Sequence, residues 1–281
     1  MNKGDRTMNK RKILLTLITI MMLSAGVSTC IAQKPADAKL GVDVDVTWVS
    51  KYLWRGYDLL DDKAAFQPSV NVDLYGTGFS INVWASYPTS AGFSSTLGAS
   101  RVNATEYDYT IAYDTTLFEG ESYATDVTAN YIYYDFIDAP STYADAQELG
   151  VGLAWPSICP GGIVPSYYVG KIWPAKSNSE LAGEYGGWIH IFGLGYDLSL
   201  PGFLPDTPEQ VFSLIADITY NDGFGFATAD HDWSHATFGV STEVALGEMT
   251  FTPAVYYQSS FDDSVNTEDE LWVGLSLTYS F

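Results

Sequence analysis

Beyond residue 32 this chain of 281 residues has no apolar run near the roughly 20 residues that a membrane helix needs. Positive charge is scarce too. Lys and Arg number 13 against 34 Asp and Glu, a formal net charge of −21. Such a balance excludes a nucleic-acid binder that works through phosphate contacts. Only two cysteines occur, Cys30 and Cys159. Loss of a leader containing Cys30 leaves Cys159 without an intrachain partner, which removes any disulfide framework or redox pair. Charged residues make up only 17%, whereas a soluble β-sandwich would carry many more Lys and Glu on its wet face.

What the chain does have is aromatic residues, at 15%, including 20 Tyr and 8 Trp. Both prefer an interface that is apolar on one side and wet on the other. The N-terminus reads as an export signal. Lys10, Arg11 and Lys12 are followed by the apolar stretch Ile13–Ala25 and a small-x-small site ending at Ala32. Ala38 is a second cleavage position, and Met8 is an alternative start. Lipidation at Cys30 is disfavoured, because Val27-Ser28-Thr29 lacks the small residues of a lipobox. The expected organisation is a cleaved signal over residues 1–32 and one domain over 33–281.

That domain alternates. From Leu40 the residues Val42, Val44, Val46, Trp48, Tyr52 and Trp54 share one parity, against Asp43, Asp45, Thr47, Lys51 and Arg55. A period of two is that of a strand. Similar runs recur to the C-terminus, as in Tyr107, Tyr109, Ile111 and Tyr113 against Asp108, Thr110 and Asp114. Another is Leu149, Val151, Leu153 and Trp155 against Glu148, Gly150 and Gly152. The chain ends on Leu271, Val273, Leu275, Leu277, Tyr279 and Phe281. The rhythm predicts about twelve strands, of the length that a transmembrane β-barrel uses, with lipid on the apolar face. Connections alternate in length. Gly76–Gly78 and Gly247-Glu248 are tight, while Gly56–Ala65, Pro88–Ala104 and Asn221–Ser234 are long. Barrels with short periplasmic turns and both termini in the periplasm show this pattern. The fold expected is all-β, a single antiparallel outer-membrane barrel.

The polar parity gives the candidate pore lining: Asp43, Asp45, Asp73, Asp108, Asp114, Asp126, Glu148, Asp217 and Glu243, with Lys51 and Arg55 as the inward cations. Cations facing carboxylates set a transverse field, as in a constriction. The same arrangement also serves simply to neutralise acids in a narrow barrel. Trp48, Tyr52 and Trp54 are expected outward, in an interfacial girdle. A terminal strand bearing Tyr279 and Phe281 resembles the C-terminal signal read by the barrel-assembly machinery. Asp230-His231-Asp232 with His235 is the candidate for chemistry, since a His beside acids serves as a general base. It resembles the Asp–His pair of the omptin proteases. A second acidic pair would have to come from Asp61-Asp62 or Asp262-Asp263. The alternative for this cluster is a solvated loop.

Ser50, Tyr52, Arg55 and Gly56, followed by Gly78, Phe79, Trp84 and Ser86, match the pattern Ser-Asp-Tyr-x-x-Arg-Gly then Gly-Phe-Tyr-x-Gly-x-Trp-x-Ser. Over about Val44 to Ser86 the chain resembles the TorF family of porins. Lys51 departs from that pattern where an acid is common, and Asn82 where Gly is common. The resemblance implies an outer-membrane barrel and a channel, and names no solute. The reading is therefore a passive, mildly cation-selective pore for small hydrophilic solutes in the outer membrane. Its partners would be lipid, the assembly machinery and solutes or cations, with no cofactor, metal or enzymatic activity. The alternatives are a surface hydrolase using His231 and a closed structural or adhesion barrel.

Overall fold

The computed structural model describes residues 39–90, 105–142, 144–176, 186–202, 208–225 and 229–281. The leader over 1–32 and the cleavage positions Ala32 and Ala38 lie outside the described residues. Twelve strands form the barrel. They are β1 (Gly41–Val49), β2 (Ala65–Asp73), β3 (Phe79–Pro88), β4 (Glu106–Leu117), β5 (Thr125–Phe136), β6 (Ala146–Ala154), β7 (Val164–Pro174), β8 (Gly186–Pro201), β9 (Glu209–Gly225), β10 (His231–Thr242), β11 (Met249–Ser260) and β12 (Glu270–Ser280). After Glu243, β10 continues as Val244–Leu246. Among the described residues no helix is long and apolar enough to cross a membrane; the strands do the crossing.

Each strand pairs antiparallel with its sequence neighbours, and β1 closes on β12 through Asp43↔Ser280 to Val49↔Gly274. Closure removes every edge, which is how a sheet satisfies its backbone in lipid. An even number of strands leaves Gly41 and Ser280 on one rim, here called the termini rim.

The alternation decides which face is which. Val46, Val70, Ile81, Val83, Tyr109, Ile111, Leu149, Phe192, Leu194, Phe238, Val255 and Leu277 are all exposed on the outside. A broad apolar exterior of this kind needs lipid as its solvent. The opposite parity is buried, and register sorts it into rows. One row is Asp45, Ser69, Trp84, Asp108 and Tyr134. The next, towards the termini rim, is Asp43, Asn71, Asn82, Thr110, Ile132 and Glu148.

Two expectations need correcting. Asn221–Ser234 is not a long loop. Asn221 pairs with Asp232 and Asp222 with His231, so β9 and β10 carry the barrel wall past the point where their apolar alternation fades. The first strand also ends at Val49, not near Arg55. Ser50 still bonds β12, its N–H donating to the Val273 carbonyl at 2.9 Å, and from there the chain turns into the lumen.

Candidate functional site

The segment after β1 is a small hairpin inside the barrel. Leu53–Trp54 pairs with Tyr57–Asp58. Arg55 (φ 52°) and Gly56 (φ 94°) form its two-residue turn, both left-handed. A turn of this type matches the twist of a β-ribbon and favours Gly at its second central position. Gly56 has a further reason to be glycine. A Cβ there would lie 2.5 Å from His235 Nδ1 and 2.8 Å from Val265. The Arg-Gly of the sequence motif is thus the tip of a lumenal hairpin.

The hairpin is packed. Tyr52, Trp54, Tyr57 and Leu60 are all at most 5% exposed and share a cluster with Trp84, Tyr134, Tyr168, Ile172, Ile189 and Phe224. The Trp54 ring lies 5.5 Å from Tyr134 and 5.4 Å from Phe224. Tyr52 and Trp54 are therefore not part of a lipid-facing girdle. Their parity continues that of β1, but the backbone has left the sheet, so the apolar face meets the barrel interior instead of lipid. Only Trp48 keeps the outward parity, next to exposed Val46.

Polar contacts tie the hairpin to the walls all round. Arg55 Nη2 donates to Glu148 Oε1 on β6 at 3.0 Å. Glu148 also accepts from Tyr134 at 2.7 Å and from Tyr168. Arg55 sits 4.8 Å over the Tyr168 ring. Gly150 makes room for this group, since a Cβ there would overlap the Tyr168 hydroxyl and the Asn130 amide. Tyr52 donates to Glu106 on β4 at 2.9 Å. Tyr57 donates to the Phe224 carbonyl at 2.8 Å, and Gln258 of β11 donates to the Gly56 carbonyl at 2.9 Å. Lys51 bridges Glu270 at 2.6 Å and also Asp62. Burial works against the Lys51 charge, but its bonds to Asp62 and Glu270 outweigh it and push the ammonium pKa up. Burial likewise raises the Asp58 carboxyl, against the Asp62 and Leu60 N–H groups that stabilise its charge.

Lys51 and Arg55 were expected four apart on one strand face. They are instead on the inward segment, Lys51 near β12 and Arg55 across the lumen on β6. Asp108 and Glu148 are fully buried, and Asp114 and Asp126 nearly so. Asp114 accepts from Thr128, and Asp126 from Thr116 at 2.6 Å. Asp43, Asp45, Asp73 and Asp217 are half-buried, and Glu243 is exposed. Asp43, Asp45, Asp73, Asp114, Asp126 and Glu243 belong to strand ends on the termini-rim side, away from the hairpin. Asp197 belongs there too and accepts from Ser213 at 2.7 Å. It was not singled out in the sequence, although it opposes Tyr196 and Leu198 in the alternation.

The other sequence candidates come apart. His231 pairs with Asp222 at 2.5 Å in an exposed position. His235 is buried beside Gly56 and contacts Ser234 Oγ at 2.9 Å. Asp62 is taken up by Lys51, and Asp262 accepts from the Ser264 N–H of its own loop. At the chain end, Phe281 is 75% exposed, with its ring edge-on to Tyr279. Sequence reasoning missed Glu106, Gln258 and Glu270 as hairpin anchors. All three lie on the inward parity of their strands, but nothing local marks a long-range partner.

Residues 33–163 match the family described as "Bacterial protein of unknown function (Gcw_chp)". No curated protein matches the sequence. Among solved structures, the chain is similar to the COG4313 outer membrane channel from Pseudomonas putida F1. The identity is 10% and the TM-score 0.51, over 88% of this chain and 99% of that one. It is also similar to the NanC porin, at 10% identity and TM-score 0.48, over 85% of this chain and 98% of that one. The first likeness, with the closed twelve-strand topology and apolar exterior, identifies the fold as an outer-membrane β-barrel.

Proposed function

We propose that the protein is an outer-membrane channel for small hydrophilic solutes, constricted by the hairpin at Trp54–Tyr57 and mildly cation-selective. The observation that carries this reading is the division of the lumen. The hairpin narrows one half, and the other half carries the inward acids Asp43, Asp45, Asp73, Asp114 and Asp126 among others. A ring of one sign concentrates its counter-ion. The similar fold of the COG4313 outer membrane channel and the TorF-like residues around Arg55 support the reading. In this account the termini face the periplasm, and Tyr279 and Phe281 serve barrel assembly.

A second reading, a barrel held shut until its hairpin moves, is favoured by the anchoring of the hairpin on β4, β6, β9, β11 and β12 at once. Reversal potentials under a KCl gradient across a planar bilayer test the first reading. Cation preference is expected; anion preference overturns it, and absence of conductance from folded protein favours the shut barrel. The orientation is tested by a tag at Thr228, a position outside the described residues. Antibody should reach the tag on intact cells, and a tag reached only after permeabilisation reverses the topology.

A further inference from the structure

We propose that the outer face of β7–β10 binds a phosphorylated glycolipid of the outer leaflet, with Lys171 meeting the phosphate and the rings around Trp188 and His190 carrying the sugar. Among the described residues Lys171 is the one Lys or Arg within a barrel strand, and it faces lipid, not the lumen. On β7 it stands opposite Leu149 of β6, which is 56% exposed on the outside, and opposite Trp188 of β8, which is 42% exposed. Its ammonium sits 5.2 Å from the centre of the Trp188 ring. No carboxylate among the described residues pairs with it, and Asp222 on β9 is engaged by His231. A chain of rings continues over the same face. His190 is stacked on Tyr167 with 6.1 Å between ring centres, and its Nδ1 shares a 2.7 Å hydrogen bond with the Tyr167 hydroxyl. Tyr220 lies 6.3 Å from His190, and Trp233 5.5 Å from Tyr220.

Charge and depth select the ligand. Lys171 is close to the end of β7 that lies away from the termini rim, where Trp and Tyr mark the headgroup level. A lysine costs little at that depth, because its stem lies along apolar surface while the ammonium reaches the headgroups. There the charge has no protein counter-charge, in a chain whose formal net charge is −21. Elsewhere round this rim the outward tyrosines bond one another or acids: Tyr87 with Tyr107, Tyr133 with Asp145 and Tyr257 with Asp269. An anionic headgroup therefore finds the fixed cation of the strand wall at Lys171. The adjoining rings decide what carries the phosphate. Flat aromatic faces stack on the C–H face of a saccharide ring, and Phe192 and Leu194, exposed further down β8, give the acyl chains an apolar wall. A phosphate on a glycerol headgroup offers no sugar to that platform. The inference rests on the channel reading only for its orientation, which puts this rim in the outer leaflet.

The test is native mass spectrometry of the full-length barrel in detergent, titrated with diphosphoryl lipid A, with its phosphate-free form and with phosphatidylglycerol. Wild type should hold one diphosphoryl lipid A per chain, tighter than either other lipid by roughly fivefold, the worth of one lysine at a charged membrane surface. Lys171→Gln should abolish the preference for phosphate, and Lys171→Arg should keep it. Trp188→Leu should weaken both forms of lipid A, whereas Lys63→Gln, ahead of β2 on the same rim, should change neither. The proposal is overturned if wild type holds the phosphate-free form as tightly, if the preference survives Lys171→Gln, or if Lys63→Gln removes it equally. It is also overturned if Trp188→Leu binds both forms like wild type. Equal affinity for phosphatidylglycerol would mean a general attraction to anionic lipid and would overturn it as well. This measurement needs neither an open pore nor a defined orientation, so its failure leaves the channel reading standing. Conversely, a tag at Thr228 reached only after permeabilisation overturns the assignment to the outer leaflet.

Discussion

Gly41–Val49 and the stretch from Ser50 to Arg55 carry one continuous alternation, yet they live in different solvents. Val46 is 45% exposed on the lipid face, whereas Tyr52 and Trp54 are 3% and 5% exposed in the lumen. Apolar residues every second position report a strand with one dry face. They do not say whether that face meets lipid or a packed interior. Here the difference is made at Ser50, where sheet pairing ends, and at Arg55-Gly56, where two left-handed residues reverse the chain. Beyond that point the charged residues reach the wall and the aromatic ones fill the space.

Substitutions should behave differently in the two regions. The largest effect is expected at Arg55→Met. It leaves Glu148 buried without its cation, and breaking such a pair costs about 3–5 kcal/mol. Urea unfolding of the refolded barrel measures this, and Glu148→Gln in the same chain should recover part of the loss. A loss below about 1 kcal/mol would mean that Glu148 is solvated and the hairpin is not seated. Next comes the lipid face. Val83→Arg, in mid-strand, should cost about 2–4 kcal/mol, as arginine does near a bilayer midplane. Trp54→Arg should leave the lipid face untouched and act through the hairpin, changing conductance. Gly56→Ala should shift the hairpin, since its Cβ meets His235 and Val265, and should raise single-channel conductance while the barrel stays folded. A smaller effect than that of Arg55→Met is expected for Lys51→Gln, because Lys51 is itself partly exposed and a Gln can still donate to its buried partner Glu270. Its signature is greater cation preference in reversal-potential measurements at low salt.

Strand number, parity and closure were legible because lipid and lumen impose opposite chemistry on alternate residues over the whole chain. The acids at 108, 114, 126 and 148 could be assigned inward for the same reason. The hairpin was not legible from parity, because its core of Tyr52, Trp54, Tyr57 and Leu60 has the composition of a lipid-facing run. One local signal did exist. Arg55-Gly56, flanked by Leu53-Trp54 and Tyr57-Asp58, has the form of a two-residue hairpin turn. The loop proposed at Asn221–Ser234 failed for a different reason. Asn221, Asp222, His231 and Asp232 are polar on both faces, as expected where a strand rises above the bilayer into water, so alternation gave no strand signal there. Tyr57 and Phe224, far apart in sequence, meet only once the barrel has closed.

Single-channel conductance of a barrel whose residues 52–60 are replaced by a Gly-Ser linker tests the central claim most directly. If the hairpin is the constriction of an open channel, the wild type conducts weakly but measurably in symmetric KCl. The replacement should then conduct several-fold more, and the open lumen should still prefer cations because the acids of the termini-side half remain. Equal conductance in the two proteins, both shown to be folded by their heat-sensitive electrophoretic mobility, would contradict it.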